Sequence, residues 1–251
     1  MRALVTFALD NEFDPWRRSR RFQRVTGAWD RMYAARVGSV DVNVVLTGAG
    51  QFAAQRAIAQ ALQVKPEIVV ASGLAGALKP GYSIGQILVA RGIANPEGTR
   101  FVVSDPELVV DAEYVGATRV EKFLVSDRVI STAAEKKELA AHGDAVDMES
   151  IHVLAAAAHA RIPAVAIRSV SDDAETDLPL DFDRVFNDRG MVSLPNVIGQ
   201  AMRKPQRIKG LLQLARHSER ASKALAAFLN RFFENITEGP YEDAKADALA
   251  I

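Results

Sequence analysis

The stretch "PEIVVASGLAGAL", residues 66–78, decides the fold class of this chain. It begins at a proline, continues through an apolar run rich in β-branched side chains, and ends in glycines and alanines. A run without polar alternation is typical of a strand that is buried on both faces of a largely parallel, covered sheet. The small residues at its end predict a tight turn after the strand.

The same kind of run recurs along the first two thirds of the chain. The further predicted strands are residues 2–9, 41–50, 83–94, 118–130 and 163–175, and the predicted helices are residues 53–64, 131–143 and 150–162. Ser131 or Thr132 is expected to cap the second of these helices. Buried strands that alternate with helices predict an α/β protein.

The composition changes after about residue 180. Residues 202–236 are basic and show a helical repeat of apolar side chains, formed by Ala221, Leu225, Phe228, Leu229, Phe232 and Ile236. We therefore expect a catalytic domain over residues 1–180 and a C-terminal helical extension over residues 181–251, packed on that domain or on a second subunit. Contact with an anionic membrane or a lipidic substrate is the less favoured alternative. The last fifteen residues are expected to be frayed.

The bulk composition excludes several classes of function. The chain has 251 residues, 49% of them hydrophobic, with 31 basic and 31 acidic side chains. A formal net charge of zero gives no argument for nucleic acid as a partner. The absence of cysteine excludes disulfides and thiolate chemistry, and the four histidines show no metal-binding spacing, so no metal is expected. Without a secretory signal or a long apolar run, a cytoplasmic protein is expected.

Two glycine-containing turns are candidates for ligand binding. "TGAGQFAA", residues 47–54, follows a strand, opens a helix and satisfies a relaxed GxGxx(G/A) pattern. It could cradle a pyrophosphate, although an ordinary strand-to-helix turn is the better interpretation of one such match. "SGLAGAL", residues 72–78, is the second turn. Together the two favour a site at the carboxyl edge of the sheet, where open α/β folds bind ligands.

Three groups of acidic residues follow predicted strands. Glu12 comes after the first strand, where a carboxylate in a surface loop is the usual interpretation. Glu149 stands at the first turn of an apolar helix, where capping and function are about equally favoured. Ser171, Asp172 and Asp173 end a buried strand, either as a turn cluster or as a proton donor held at the sheet edge.

The order of these motifs is more specific than any one of them. "GAGQFAAQRAIAQAL", "VVASGLAGAL" with "SIGQILVA", "VDMES" and "AIRSVSDDA" follow one another over residues 2–178. This order resembles the purine nucleoside phosphorylase/nucleosidase superfamily, and within it the methylthioadenosine/S-adenosylhomocysteine nucleosidases and the related hydrolases of hopanoid synthesis. The resemblance implies a single-domain α/β fold in which helices flank a central mixed sheet that partly closes into a barrel.

The resemblance also implies a role for particular residues. Asp172 corresponds to the general acid at the purine N7, and Ser171 orients its carboxyl. Glu149 corresponds to the glutamate that binds the ribose hydroxyls and places negative charge near the developing cation, and Met148 packs on the sugar. Glu12 corresponds to the base that activates water. The remaining expected substrate contacts are Gly50, Gly73, Leu74, Ala75, Val129 and Ile130. The last two flank the base, where the family commonly has an aromatic residue.

The resemblance leaves a choice between hydrolysis and phosphorolysis. Phosphorylases of this superfamily bind phosphate with an arginine and a serine at the positions of Ala71 and Leu74, neither of which can do so here. Glu12 would repel phosphate but suits a base for water. We therefore expect a nucleosidase that releases adenine from a 5′-substituted adenine nucleoside, without cofactor. "RRSRR", residues 17–21, could hold phosphate, but a solvated basic helix face is favoured.

Three alternatives to hydrolysis remain open from the sequence. They are a phosphorylase with phosphate as co-substrate, a non-catalytic nucleoside- or lipid-binding module, and, most distantly, a dinucleotide oxidoreductase. The expected partners are a small nucleoside and a second copy of the chain, in a homodimer or a higher homo-oligomer, with peripheral membrane contact by the basic C-terminal helix as a possibility.

Overall fold

A computed structural model describes residues 1–25, 31–179 and 208–236. Its strands are β1 Arg2–Phe7, β2 Gln23–Arg24, β3 Met32–Val37, β4 Val40–Leu46, β5 Ile68–Ala77, β6 Ile87–Ala94, β7 Phe101–Val103, β8 Thr118–Val125, β9 Ala145–Asp147 and β10 Ala164–Asp172. Its helices are α1 Asp10–Arg20, α2 Gln51–Ala61, α3 Pro106–Tyr114, α4 Ala133–Leu139, α5 Ser150–His159 and α6 Ile208–Asn235, with a 3₁₀ turn at Leu62–Val64.

The strands form one mixed sheet that closes partly into a barrel. Its order is β10-β6-β8-β9-β5-β1-β4-β3-β2, and an additional pairing of β10 with β5 closes five strands into a ring. The consecutive strands β4, β1, β5 and β10 are mutually parallel, as their apolar runs predict. The outer strands β2 and β3 pair antiparallel with their neighbours. Strand β6 pairs antiparallel with β10 and β7 but parallel with β8. The predicted α/β class, with a partly closed mixed sheet flanked by helices, is confirmed.

The turn predicted at residues 72–78 is wrong, because strand β5 continues through the small residues to Ala77. It pairs there with β10 on one side and with β9 on the other. The glycines serve close approach within this strand. A Cβ at Gly73, where φ is +141°, would lie 2.3 Å from a guanidinium nitrogen of Arg168, and a Cβ at Gly76 would lie 2.8 Å from Asp172 Oδ2.

Two other elements differ from the sequence interpretation. Glu12 is not in a surface loop but lies buried in the first turn of α1. The predicted strand 118–130 ends at Val125, so Val129 and Ile130 belong to the loop before α4. Thr132 is the N-cap of α4, and its hydroxyl accepts a hydrogen bond from the backbone N–H of Glu135.

Helix α6 packs on α1 and on β10. Its predicted apolar stripe is largely buried within this chain, with Phe228, Leu229 and Phe232 inaccessible to solvent. Asn230 of α6 accepts a hydrogen bond of 2.8 Å from the Trp16 indole N–H. No helix in the described ranges is long and apolar enough to cross a membrane. The polar segment after residue 180 and the predicted frayed tail lie outside the described residues, and the domain boundary at residue 180 stays a prediction.

Candidate active site

A cavity of about 890 Å³ opens at the carboxyl ends of the central strands. Its wall is built by the start of α1, the end of β5, the segment from β9 to α5, the end of β10, the loop before α4 and one face of α6. The candidate residues on this wall are Glu12, Leu74, Ala75, Val129, Ile130, Met148, Glu149, Ser171 and Asp172. The structure therefore brings together side chains from five separate stretches of sequence, at the sheet edge where the sequence predicted a site.

Glu12 is held by backbone N–H donors in the first turn of α1. Its Oε2 accepts hydrogen bonds from the N–H groups of Ala8 at 3.0 Å and Leu9 at 3.1 Å, and Oε1 accepts a long one of 3.4 Å from Leu74. Burial raises the pKa of Glu12 above its usual value, while the charge of Arg168 and the three backbone bonds oppose that rise. A carboxyl with a raised pKa that is fixed in a cavity suits a general base.

Glu149 reaches away from its own helix. It occupies the N-cap position of α5 but makes no side-chain cap bond. Its Oε1 instead accepts a 2.8 Å hydrogen bond from the N–H of Gly50. Burial raises the pKa of Glu149 to about 8, with Arg168 lowering it and the nearby carboxyls of Asp147 and Glu12 raising it further. This carboxyl therefore favours its protonated form at neutral pH, whereas the resemblance implies a negative charge there.

The capping role belongs to Asp147. Its Oδ1 accepts hydrogen bonds of 3.0 Å from the N–H groups of Glu149 and Ser150, and its Oδ2 accepts one of 2.7 Å from Nε of Arg168. Arg168 is 1% exposed and also donates to the Ser72 carbonyl at 2.6 Å. This buried ion pair fixes the start of α5 to β10 and places positive charge behind Glu12 and Glu149.

Asp172 lies at the end of β10 with both carboxyl oxygens occupied. Oδ1 accepts a 2.7 Å hydrogen bond from the Ser171 hydroxyl, and Oδ2 accepts one of 2.6 Å from the Lys136 ammonium. Ser171 therefore has the contact that was expected of it. The side chain of Asp172 is 15% exposed, so it keeps an opening to the cavity.

The glycines of the two predicted turns contribute a backbone N–H and space for neighbouring side chains. Gly50 has φ +89°, and its N–H is directed at Glu149 rather than left open for an anion. The segment 47–54 is thus the strand-to-helix turn that was favoured over a pyrophosphate cradle. Gly73 leaves room for Arg168 and for Glu12, whose Oε2 would lie 3.2 Å from a Cβ at this position.

Ala71 and Leu74, the two positions at which the resemblance implies phosphate ligands in phosphorylases, offer no side-chain ligand here. Ala71 is fully buried in the core, and Leu74 contributes its N–H to Glu12. Within residues 17–21, Arg17 and Arg18 pair with Asp14 on the same helix. Arg18 also lines the cavity, so the basic segment is only in part a solvated helix face.

Sequence reasoning missed several contributors to the site. Arg168 received no role, although one charged residue inside the apolar run "AVAIRSV" was a visible signal of a buried pair. Asp147 was not among the candidate residues. Lys136 was placed on a helix without a function. Leu211, Leu214 and Ala215 of α6 line the cavity, and no local pattern connects them to a site formed more than thirty residues earlier in the sequence.

Both fold and site define a nucleoside phosphorylase-like α/β protein, and the chain belongs to the Phosphorylase superfamily, whose family profile matches residues 3–198. Solved structures share its fold. S-adenosylhomocysteine nucleosidase from Streptococcus pyogenes, in complex with 5-methylthiotubericidin, is 17% identical with a TM-score of 0.71, over 94% of this chain and 97% of that chain. The 5′-methylthioadenosine/S-adenosylhomocysteine nucleosidase of Campylobacter jejuni is 17% identical with a TM-score of 0.71, over 93% and 99%.

A futalosine hydrolase mutant of Helicobacter pylori matches equally well, with 15% identity and a TM-score of 0.72 over 92% of this chain and 98% of that chain. Each of these three likenesses covers at least 92% of this chain and shows a shared fold.

Proposed function

We propose that this protein is a nucleosidase that hydrolyses the N-glycosidic bond of a 5′-substituted adenine nucleoside and releases adenine. The observation that carries the proposal is the convergence of three carboxyl groups, those of Glu12, Glu149 and Asp172, on one cavity. The S-adenosylhomocysteine and methylthioadenosine nucleosidases that share the fold support this class of substrate.

Asp172 acts as the general acid in this proposal. When the bond between C1′ and N9 breaks, its electron pair moves into the purine, and a proton delivered to N7 makes adenine a neutral leaving group. Ser171 fixes one carboxyl oxygen and Lys136 the other. General acid catalysis of this kind contributes roughly 10²–10⁴-fold to a rate.

Glu12 and Glu149 act on the sugar side. Glu12, with its raised pKa, takes the proton of the water molecule that attacks C1′. Glu149 accepts the Gly50 N–H through one oxygen, which leaves the other oxygen to hydrogen-bond a ribose hydroxyl. Met148 lines the same part of the wall. A raised pKa makes the Glu12 carboxylate a stronger base toward the proton of water.

The charges on the cavity wall favour water over phosphate as the nucleophile. The described cations that line the cavity and face away from the buried core are already paired: Arg18 with Asp14, Arg128 with Glu135 and Lys223 with Glu219. The carboxyl groups of Glu12 and Asp172 lie on the same wall. A phosphate dianion would meet this negative charge without a free cation to offset it.

Apolar side chains of α6 supply part of the specificity in this proposal. Leu211, Leu214 and Ala215 line the cavity together with Leu178. Such a wall favours a substituent that is less polar than a hydroxyl at the 5′ position. We therefore expect methylthioadenosine to have a lower KM than adenosine.

The test is the release of adenine from methylthioadenosine and S-adenosylhomocysteine in phosphate-free buffer and with added phosphate. The proposal expects equal rates in both buffers and free ribose derivatives as products. A strict requirement for phosphate with formation of a sugar 1-phosphate would instead establish the phosphorylase alternative. Binding of adenine without cleavage of any tested nucleoside would establish the binding module.

A further inference from the structure

Lys136 is a charged side chain with no access to solvent. It lies on α4, is 0% exposed, and donates from Nζ to Asp172 Oδ2 at 2.6 Å and to the backbone carbonyl of Asp173. Burial of an ammonium group costs several kcal/mol, which a partner only partly offsets. A leucine or methionine would fill the same space without that cost. The buried ammonium therefore indicates a role other than stabilising the fold.

The local sequence fixes the direction of this side chain. Thr132 and Glu135 form a capping box that sets where α4 begins, and this turns Lys136 inward while Lys137 is exposed. The two neighbouring lysines therefore differ in environment but not in chemistry. They provide a matched pair for comparison.

The hydrogen bonds of Asp172 show where its proton can come from. Its Oδ1 faces a Ser171 hydroxyl that lies 3.2 Å from the Ala75 carbonyl as well, and a serine hydroxyl is not an acidic donor. Among the described residues in hydrogen-bond contact with this carboxyl, Lys136 is the one with an acidic N–H. Resting on the proposed function, we propose that Lys136 supplies the proton that Asp172 passes to the leaving purine.

The step balances in atoms and charge. At the start Asp172 and Lys136 form an ion pair of carboxylate and ammonium. As the C1′–N9 bond breaks and its electron pair enters the purine, Nζ of Lys136 gives a proton to Oδ2 and Asp172 passes a proton to N7. The lysine becomes a neutral amine and Asp172 is again a carboxylate. Water bonds to C1′ and loses its proton to Glu12. Exchange with solvent then returns a proton to the amine and removes one from Glu12.

The other charged groups near Lys136 and Asp172 have partners of their own and do not compete with Lys136 as the proton source. The Asp173 carboxylate is engaged by the N–H groups of Glu175 and Thr176. The remaining charged side chains on the wall form pairs of their own: Arg128 with Glu135, Arg18 with Asp14 and Lys223 with Glu219. Asp147 on the wall pairs with the buried Arg168 behind it. Glu12 and Glu149 belong to the sugar side of the cavity.

The experiment compares Lys136→Met with Lys137→Met in the full chain. For Lys136→Met we expect kcat on methylthioadenosine to fall about 100-fold at pH 8 with KM within threefold, since the proton must then come from solvent. For the same reason kcat of this variant should fall about tenfold per pH unit between pH 7 and 9, whereas the wild type changes little. Lys137→Met should behave as the wild type does.

A purely structural role would lower the rate of Lys136→Met equally at every pH, and parallel pH profiles for variant and wild type would therefore overturn the proposal. Should Lys136→Met not fold, Lys136→Gln carries the same comparison, because it keeps a donor toward Oδ2 without the transferable proton. A wild type that releases no adenine from any nucleoside contradicts the proposed function itself. An active wild type with an unaffected Lys136 variant contradicts only the role of Lys136.

Discussion

The backbone N–H of Gly50 donates a hydrogen bond of 2.8 Å to Oε1 of Glu149, across 99 positions of sequence. This bond connects the start of α2 to the start of α5. It directs Glu149 into the cavity, and Asp147 takes over the capping of α5. Because the Glu149 carboxyl is buried, its ionisation changes the free energy of unfolding.

Glu149→Gln is expected to stabilise the protein in a pH-dependent way. The folded chain holds the proton of Glu149 up to about pH 8, while the unfolded chain releases it near 4.5. Between these values the wild type loses stability as the pH rises, because the unfolded state binds fewer protons. The variant does not titrate here, so its advantage in unfolding free energy should be near zero at pH 4.5 and on the order of a few kcal/mol at pH 8.

Denaturant titrations of wild type and Glu149→Gln at the two pH values measure this difference. Glu138→Gln, at an exposed position on α4, is the control and should change the unfolding free energy by less than about 0.5 kcal/mol. An equal difference for Glu149→Gln at both pH values would show that the carboxyl has no raised pKa.

Asp172→Asn should lower kcat for adenine release by about 10²–10⁴-fold while KM stays within a few-fold, because the amide has no proton to give to N7. Asp173→Asn is the matched control, since asparagine can still accept the hydrogen bonds from Glu175 and Thr176. Steady-state kinetics of both variants, with thermal melting to verify folding, make the comparison. Near-normal kcat in Asp172→Asn would remove this residue from its role.

Glu12→Gln is expected to abolish turnover but not ligand binding. The side-chain oxygen of glutamine can accept the N–H groups of Ala8 and Leu9, so the turn is preserved while the base is lost. We expect kcat to fall more than about 100-fold, with adenine affinity in calorimetry within about fivefold of wild type. The exposed Asp10, two positions earlier, provides the control variant Asp10→Asn. A comparable loss of kcat in that control would point to the helix rather than to the carboxyl.

Gly76→Ala should damage catalysis through the acid. The new Cβ would lie 2.8 Å from Oδ2 of Asp172 and must displace this carboxyl. A misplacement of about 1 Å costs roughly 100-fold in rate. Gly98→Ala, at a turn where nothing lies near an added Cβ, should keep full activity. Unchanged kcat in Gly76→Ala, or a loss equal to that of Gly98→Ala, would contradict the tight packing of Asp172 on β5.

Much of the fold was predictable because its strands are local apolar runs. The parallel centre of the sheet follows from the absence of alternation in stretches such as residues 66–71, which requires burial on both faces. The extension of β5 through "SGLAGA" was not predictable from local preference. In that stretch the glycines leave space for the side chains of Arg168 and Asp172 on the adjacent strand. This tertiary contact overrides the turn propensity.

The candidate site was predictable where a motif carries a reactive side chain next to a strand end, as for Asp172 and Glu149. It was not predictable where the determining contact is remote. Lys136 and Asp172 are 36 positions apart, and neither stretch shows by itself that an ammonium meets a carboxyl. The side chains of α6 reach the cavity only because that helix packs on β10.

The measurement that tests the central claim most directly is the fate of oxygen during turnover in water enriched in ¹⁸O, with phosphate present. If the enzyme is a hydrolase, mass spectrometry of the sugar product formed from methylthioadenosine should show one ¹⁸O at C1′ of a free sugar, and the same product without phosphate. A sugar 1-phosphate whose C1′ oxygen carries no ¹⁸O would contradict hydrolysis and assign the cavity to a phosphorylase.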